Sequence, residues 1–324
     1  MTTTRAARLN RFASLAVLPV MLLAVLALSR QAQREPEAPL PDSGLIVVAN
    51  LRDHTLTFHD LDTGQSSTLA LPGPPHEMAE LNGRLYITLG RADLLAEVDP
   101  RAPGTLRLLS LPGEPHGIAA SPAGVLYVTL DKADALVAID AASLTEIDRW
   151  PTAATPHAVA LAEGVPYVAA ARADLVQAIR PSGTRGAPVG SFPESIAVLP
   201  GLVATGDYRS GTVSLLSLPE LAPRASVAVG GGPVRLLPLR ESGLAVALQV
   251  AGSVAIVDTA STRVDRTVPV AARPDGLCLA PGGTHLAVAS NAEDSLTVLD
   301  TATWRASATL PAGRGPGACL WLPR

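Results

Sequence analysis

The feature that most constrains this chain is a proline-headed repeat. Aligned on that proline, seven copies start at Pro75, Pro115, Pro156, Pro193, Pro233, Pro274 and Pro316, at intervals of 40, 41, 37, 40, 41 and 42 residues. A period near 40 belongs to solenoids and propellers. The copy at Pro115 reads GIAAS, VLYVTL, ALVAID and TEIDRW, separated by PAG, DKAD and AASL. These are four short β-rich segments with turn chemistry between them and no helical stripe. Four strands per repeat predict a propeller blade, a twisted antiparallel sheet stacked face to face with its neighbours around a channel. Stacking accounts for strands that are apolar almost throughout.

The chain ends complete the count. Only three strand segments precede Pro75, at Leu45 to Asn50, Thr55 to Leu61 and Ser66 to Leu71, and only GACLWLP follows Pro316. The last strand is therefore predicted to become the innermost strand of the first blade, which removes an open sheet edge. The expected fold is all-β: a seven-bladed β-propeller over residues 44–324, its ring closed by the C-terminal strand.

The residues Pro-His-Gly-Ile-Ala (115–119), Leu-Tyr-Val-Thr (126–129) and Ile-Asp (139–140) resemble the YVTN-repeat family of seven-bladed propellers. The resemblance extends over Leu45 to Pro323. It implies an exported protein with a binding or scaffolding role; related propellers carry haem or catalyse eliminations. The pattern departs from the family at Pro-Glu-Ser (193–195), and Arg180 and Ser217 replace the aspartate of the third strand. Most recurring residues have structural readings. Proline suits a strand head where no ladder N–H is needed. Asp99, Asp140, Asp258 and Asp300 suit Asx turns.

The N-terminus carries Arg5, Arg8 and Arg11 before an apolar run from Phe12 to Leu28. Positive charge ahead of such a run directs export. Residues 1–29 are read as a signal peptide or uncleaved membrane anchor, and 30–43, RQAQREPEAPLPDS, as a linker. The expected location is extracytoplasmic, periplasmic or at the cell surface, with a tether to the inner membrane if the segment is retained. Membrane contact would come only through it. Without those three arginines the formal charge goes from −4 to −7, giving no general attraction for nucleic acid. Aromatic residues make up 3%, too few for a base-stacking platform. The expected state is a monomer.

The residue after each proline marks one level near one channel mouth. In ring order these are His76, His116, His157, Glu194, Val234, Asp275 and Gly317. No cofactor is required by the pattern, but His76, His116, His157 and Glu194 form a candidate ligand set for a divalent transition metal. A neutral histidine there could instead serve as a general base of a lyase or hydrolase, or hold a haem or other metallocofactor axially. In the structural alternative, each imidazole hydrogen-bonds loop backbone between blades.

The loops after each second strand open on the same face and carry Arg52, His54, Arg91, Lys132, Arg172 and Arg209; Arg273 flanks a later proline. Together they could hold a small anionic ligand or a protein partner. Each cation also has an acidic neighbour, so weak local ion pairs are the alternative. His54, His59 and His285 otherwise read as ordinary surface or turn residues. No G-x-S-x-G, H-E-x-x-H, C-x-x-C or P-loop occurs. Cys278 and Cys319 lie four and three residues after their prolines. Because strand side chains alternate, they are expected on opposite faces of neighbouring blades, as two buried thiols.

Overall fold

The computed structural model describes residues 43–240 and 242–323. Residues 1–29, read as a signal peptide or anchor, and all but the last residue of the expected linker lie outside them. Seven four-stranded antiparallel sheets form the ring. Blade 1 comprises Pro316–Leu322, Leu45–Asn50, Thr55–Asp60 and Gln65–Ala70, from the channel outward. Blades 2 to 7 follow in chain order, with innermost strands Met78–Leu81, Pro115–Ser121, Pro156–Ala162, Pro193–Leu199, Pro233–Pro238 and Pro274–Leu279. The tail docks as expected: Leu322 pairs with Leu45, Trp321 with Ile46 and Cys319 with Val48. The Trp321 indole N–H also donates to the Ser43 carbonyl at 3.2 Å.

The middle two strands of each blade are buried on both faces, as in Ala135–Asp140 with Leu136, Val137 and Ile139 at 0% exposure. Each such side chain contributes about 1.5–3 kcal/mol of burial. The outermost strands face solvent, Thr145–Pro151 almost throughout, so continuous apolar sequence stops one strand short of the perimeter. Near the axis the sheets approach closely. A Cβ on Gly117 would lie 2.7 Å from the His157 carbonyl oxygen, and one on Gly276 would collide with the Gly317 carbonyl.

Six innermost strands begin at the repeat proline. In blade 2 the regular strand begins at Met78, but His76 N–H still donates to Thr88 O at 2.9 Å, and Thr88 N–H to Glu77 O at 3.0 Å. The third-strand aspartates form turns: Asp99 accepts from Arg101 N–H, Asp140 from Ser143 N–H, Asp258 from Ala260 N–H and Asp300 from Thr303 N–H.

Two expectations are corrected. His59 and His285 are 4% and 3% exposed; both sit within strands packed between blades, not in turns. Cys278 and Cys319 form a disulfide between blades 7 and 1. Stacked sheets explain why. Equivalent positions in successive blades point the same way around the ring, so residues of opposite parity point into the shared interface. Opposite faces are therefore the facing ones, and both cysteines belong to that interface with Ile46, Val48, Ala287 and Ala289.

Candidate functional site at the channel mouth

The proline end of the channel opens into a cavity of about 280 Å³ lined by His76, Glu77, His116, His157, Glu194, Tyr208, Arg235, Gln249 and Asp275, among others. A larger hollow of about 470 Å³ lies on the opposite face and is bordered by Gly44 and Pro323, among others. Most of the strongly shifted titratable groups, His116, Glu194 and Arg235, gather at the channel mouth instead, which makes the mouth the candidate site.

The three histidines are held by the fold. His116 Nδ1 lies 3.0 Å from the His157 carbonyl, and His157 Nδ1 lies 2.9 Å from the Glu194 carbonyl. A carbonyl only accepts, so Nδ1 carries the proton and Nε2 is left as an acceptor. Thr88 Oγ1 donates to the His116 carbonyl at 2.6 Å, fixing the same strand from behind. The rings lie one over the next, with centroids 4.6 Å apart for His76 and His116 and 3.8 Å for His116 and His157. His76 turns its Nε2 inward: that atom is buried without a partner, against Gly90.

This arrangement bears on the proposed metal set. The planes of successive rings are tilted by 46° and 40°, and a metal needs donor atoms that converge. Among the described residues no three His, Cys, Asp or Glu side chains are placed to hold a metal ion. His76, His116, His157 and Glu194 share one cavity. What the structure does provide is the backbone hydrogen bonding between blades.

Burial holds all three imidazoles below the ordinary histidine range, His116 furthest, with its two neighbouring rings adding to the effect. Glu194 is pushed up to about 7, first by burial and then by Asp275. Burial also raises Asp275.

Reading only the residue after each proline missed an ion pair one residue further on. Arg235 of blade 6 reaches Glu77 of blade 2, Nη1 to Oε2 at 2.7 Å and Nη2 to Oε1 at 2.6 Å. The same guanidinium lies 3.7 Å from Asp275 Oδ1, and its Nε donates to the Asp275 carbonyl at 3.4 Å. Burial opposes its charge, but Glu77 and Asp275 more than offset that and hold it protonated. Gln249 Nε2 donates to Asp275 Oδ2 at 3.3 Å, and Tyr208 donates to Gln249 Oε1 at 3.1 Å. A signal for the pair existed in the sequence. The second residue after each proline runs Glu77, Gly117, Ala158, Ser195, Arg235, Gly276 and Ala318: two charges of opposite sign among small residues.

The loop cations are placed differently. Arg52, His54, Arg91, Lys132, Arg172, Arg209 and Arg273 are all exposed around the rim. Arg52 binds the Asn291 carbonyl and lies 3.2 Å from Asp294; Lys132 lies 3.9 Å from Glu114; Arg209 stacks 4.1 Å above the Phe192 ring. The acids beside them cap backbone. Asp93, Asp134 and Asp174 adopt left-handed turn conformations and accept from Glu114, Thr155 and Phe192 N–H, each at 2.8 Å. Those donors are the residues that immediately precede the next proline, so these carboxylates staple neighbouring blades. His54 occupies the same left-handed position in blade 1.

No protein-family profile matches the chain, and no curated protein is similar to it in sequence. Solved structures do match. A functionally unknown protein from Desulfotomaculum acetoxidans superposes with a TM-score of 0.74 at 12% identity, over 86% of this chain and 98% of that one. The fold is shared. Apo AztD from Citrobacter koseri gives 0.66 at 11% identity, over 87% of this chain and 98% of AztD. Virginiamycin B lyase from Staphylococcus aureus gives 0.66 at 14% identity, over 79% and 94%. Such identities establish the seven-bladed propeller and nothing finer; the neighbours differ in function among themselves, and the YVTN resemblance rests on the repeat residues alone.

Proposed function

We propose that this propeller is an exported binding module whose ligand or partner engages the channel mouth. One observation carries the reading. Six blades contribute His76, Glu77, His116, His157, Glu194, Arg235 and Asp275 to a single small cavity. A fold gains little stability from burying partly paired charge and imidazole at its axis. Convergent polar groups with displaced protonation are the ordinary mark of a binding site. The Cys278–Cys319 disulfide supports export, because such bonds persist in oxidising compartments. So do Arg5, Arg8 and Arg11 ahead of the apolar run.

Histidine-selective NMR tests the reading. The protein carries six histidines. In a metabolite screen, a true ligand shifts the signals of His76, His116 and His157 and leaves those of His54, His59 and His285 in place. Ligands that move only the latter three would overturn it. Fractionation with a C-terminal tag tests export: the protein should be extracytoplasmic with its cysteines oxidised.

A second reading has one observation in its favour. The backbone carbonyls that fix Nδ1–H on His116 and His157 leave a neutral Nε2 facing the cavity, as a general base in a lyase or hydrolase requires. It predicts that a screened ligand is consumed, and that His116→Ala and His157→Ala abolish turnover while binding persists.

A further inference from the structure

The polar groups of the cavity are strongly unequal in kind. Its one charged donor is already engaged, as are two neutral ones. Arg235 is held by Glu77 and Asp275, Gln249 Nε2 by Asp275, and the Tyr208 hydroxyl by Gln249. The unengaged groups include three acceptors. Among the described residues no hydrogen bond forms to Nε2 of His116 or His157, whose Nδ1 atoms are tied to backbone. The Glu194 carboxyl likewise has no protein donor; only its main-chain carbonyl is used. Charge points the same way. Glu77, Glu194 and Asp275 face one guanidinium, and neutral imidazoles add nothing to balance them. The desolvated Glu194, pushed up to about 7, is the group a positive charge would relieve.

We infer that the channel mouth takes a small cationic nitrogen compound, a primary alkylammonium, with its N–H groups on Glu194 and the Nε2 atoms of His116 and His157. The inference rests on the binding-module reading and gives the ligand its chemical class. An ammonium supplies three donors and one positive charge on a compact head. It tolerates wider spacing than a metal ion, because hydrogen bonds of about 2.8–3.0 Å replace metal–ligand bonds of about 2.0–2.2 Å. Tyr208 lines the same cavity and offers an aromatic wall to the cation or its alkyl chain. A cavity of about 280 Å³ lies at the lower edge of ligand-site sizes, which suits a short alkyl chain. This reverses the sequence expectation of a small anion at the mouth: the cations that suggested it sit on the outer rim, and the interior accepts.

Calorimetric titration at pH 8 with n-butylammonium, butyrate, tetramethylammonium and zinc chloride tests this on the mature protein. The expected result is saturable binding of butylammonium, at least tenfold tighter than either butyrate or tetramethylammonium. The second comparison isolates the N–H donors from the charge. Glu194→Gln, which keeps shape and removes charge, should weaken butylammonium at least tenfold with an unchanged far-ultraviolet circular dichroism spectrum. Binding of butyrate or zinc in place of butylammonium, sensitive to the same variant, would overturn the ammonium assignment and leave the binding-module reading standing. Butylammonium binding that Glu194→Gln does not alter would place it elsewhere and overturn the inference. Absence of binding by every probe would also overturn it, and the histidine NMR screen would then decide the broader reading separately.

Discussion

Arg235 and Glu77, 158 residues apart in the chain and three blades apart around the ring, form a two-point ion pair over the channel mouth. Their side chains are 22% and 18% exposed, so the pair is shielded without being sealed. Removing one partner strands the other in a poorly solvated place, which costs more than an exposed pair contributes. Arg235→Ala should destabilise the domain by about 2–4 kcal/mol. Glu77→Gln should cost less, because Asp275 still accompanies the guanidinium. Urea unfolding of both singles and the double variant should give a coupling above about 1 kcal/mol. A coupling near zero would mean that the pair does not hold the blades together in solution.

Glu194 gives the protein a distinctive pH response. Its folded value, about 7, lies above the ordinary carboxylate range. Between roughly pH 4.5 and 7 the folded state therefore keeps a proton that the unfolded chain has lost, and stability falls as pH rises. The three depressed histidines act in the opposite sense: below about pH 6.5 the unfolded chain takes up protons that the folded state refuses, so stability falls as pH drops. Comparison with Glu194→Gln isolates the first effect. The variant should match the wild type near pH 4.5 and be more stable at pH 8, by about 1–2 kcal/mol once partial exposure is allowed for. A stability difference that is constant with pH would show Glu194 to be fully hydrated.

The Cys278–Cys319 disulfide joins the last complete blade to the closing strand across 41 residues. A loop of that length corresponds to about 4 kcal/mol of unfolded-state restriction at most. The Cys278→Ser, Cys319→Ser double variant should melt several degrees lower and retain its far-ultraviolet spectrum. An unchanged melting temperature would mean that strand pairing alone holds the ring shut.

Deletion of residues 316–324 tests closure directly. It strips the inner edge from Leu45–Asn50 and removes Cys319 with it. The truncated domain should lose cooperative unfolding and aggregate through the exposed edge. To separate the edge from the disulfide, the deletion is compared with the serine double variant, and the deletion should be the more damaging. Equal melting temperatures would refute the importance of the edge.

The sequence by itself determined the blade count, the order of strands within each blade and the closure by the tail. Those follow from a local period near 40 and from strand and turn chemistry, which neighbouring residues settle among themselves. It also placed His76, His116, His157, Glu194 and Asp275 at one level of the rim. What only the tertiary structure decided were relations between blades: the Arg235–Glu77 pair across the channel, the meeting of Cys278 with Cys319, and the tilted contact of each imidazole with the next. Such relations depend on the twist and stacking of whole sheets. A one-residue step in a strand turns a side chain to the other face, so the direction of a charge or a sulfur is set only once the ring has closed around it.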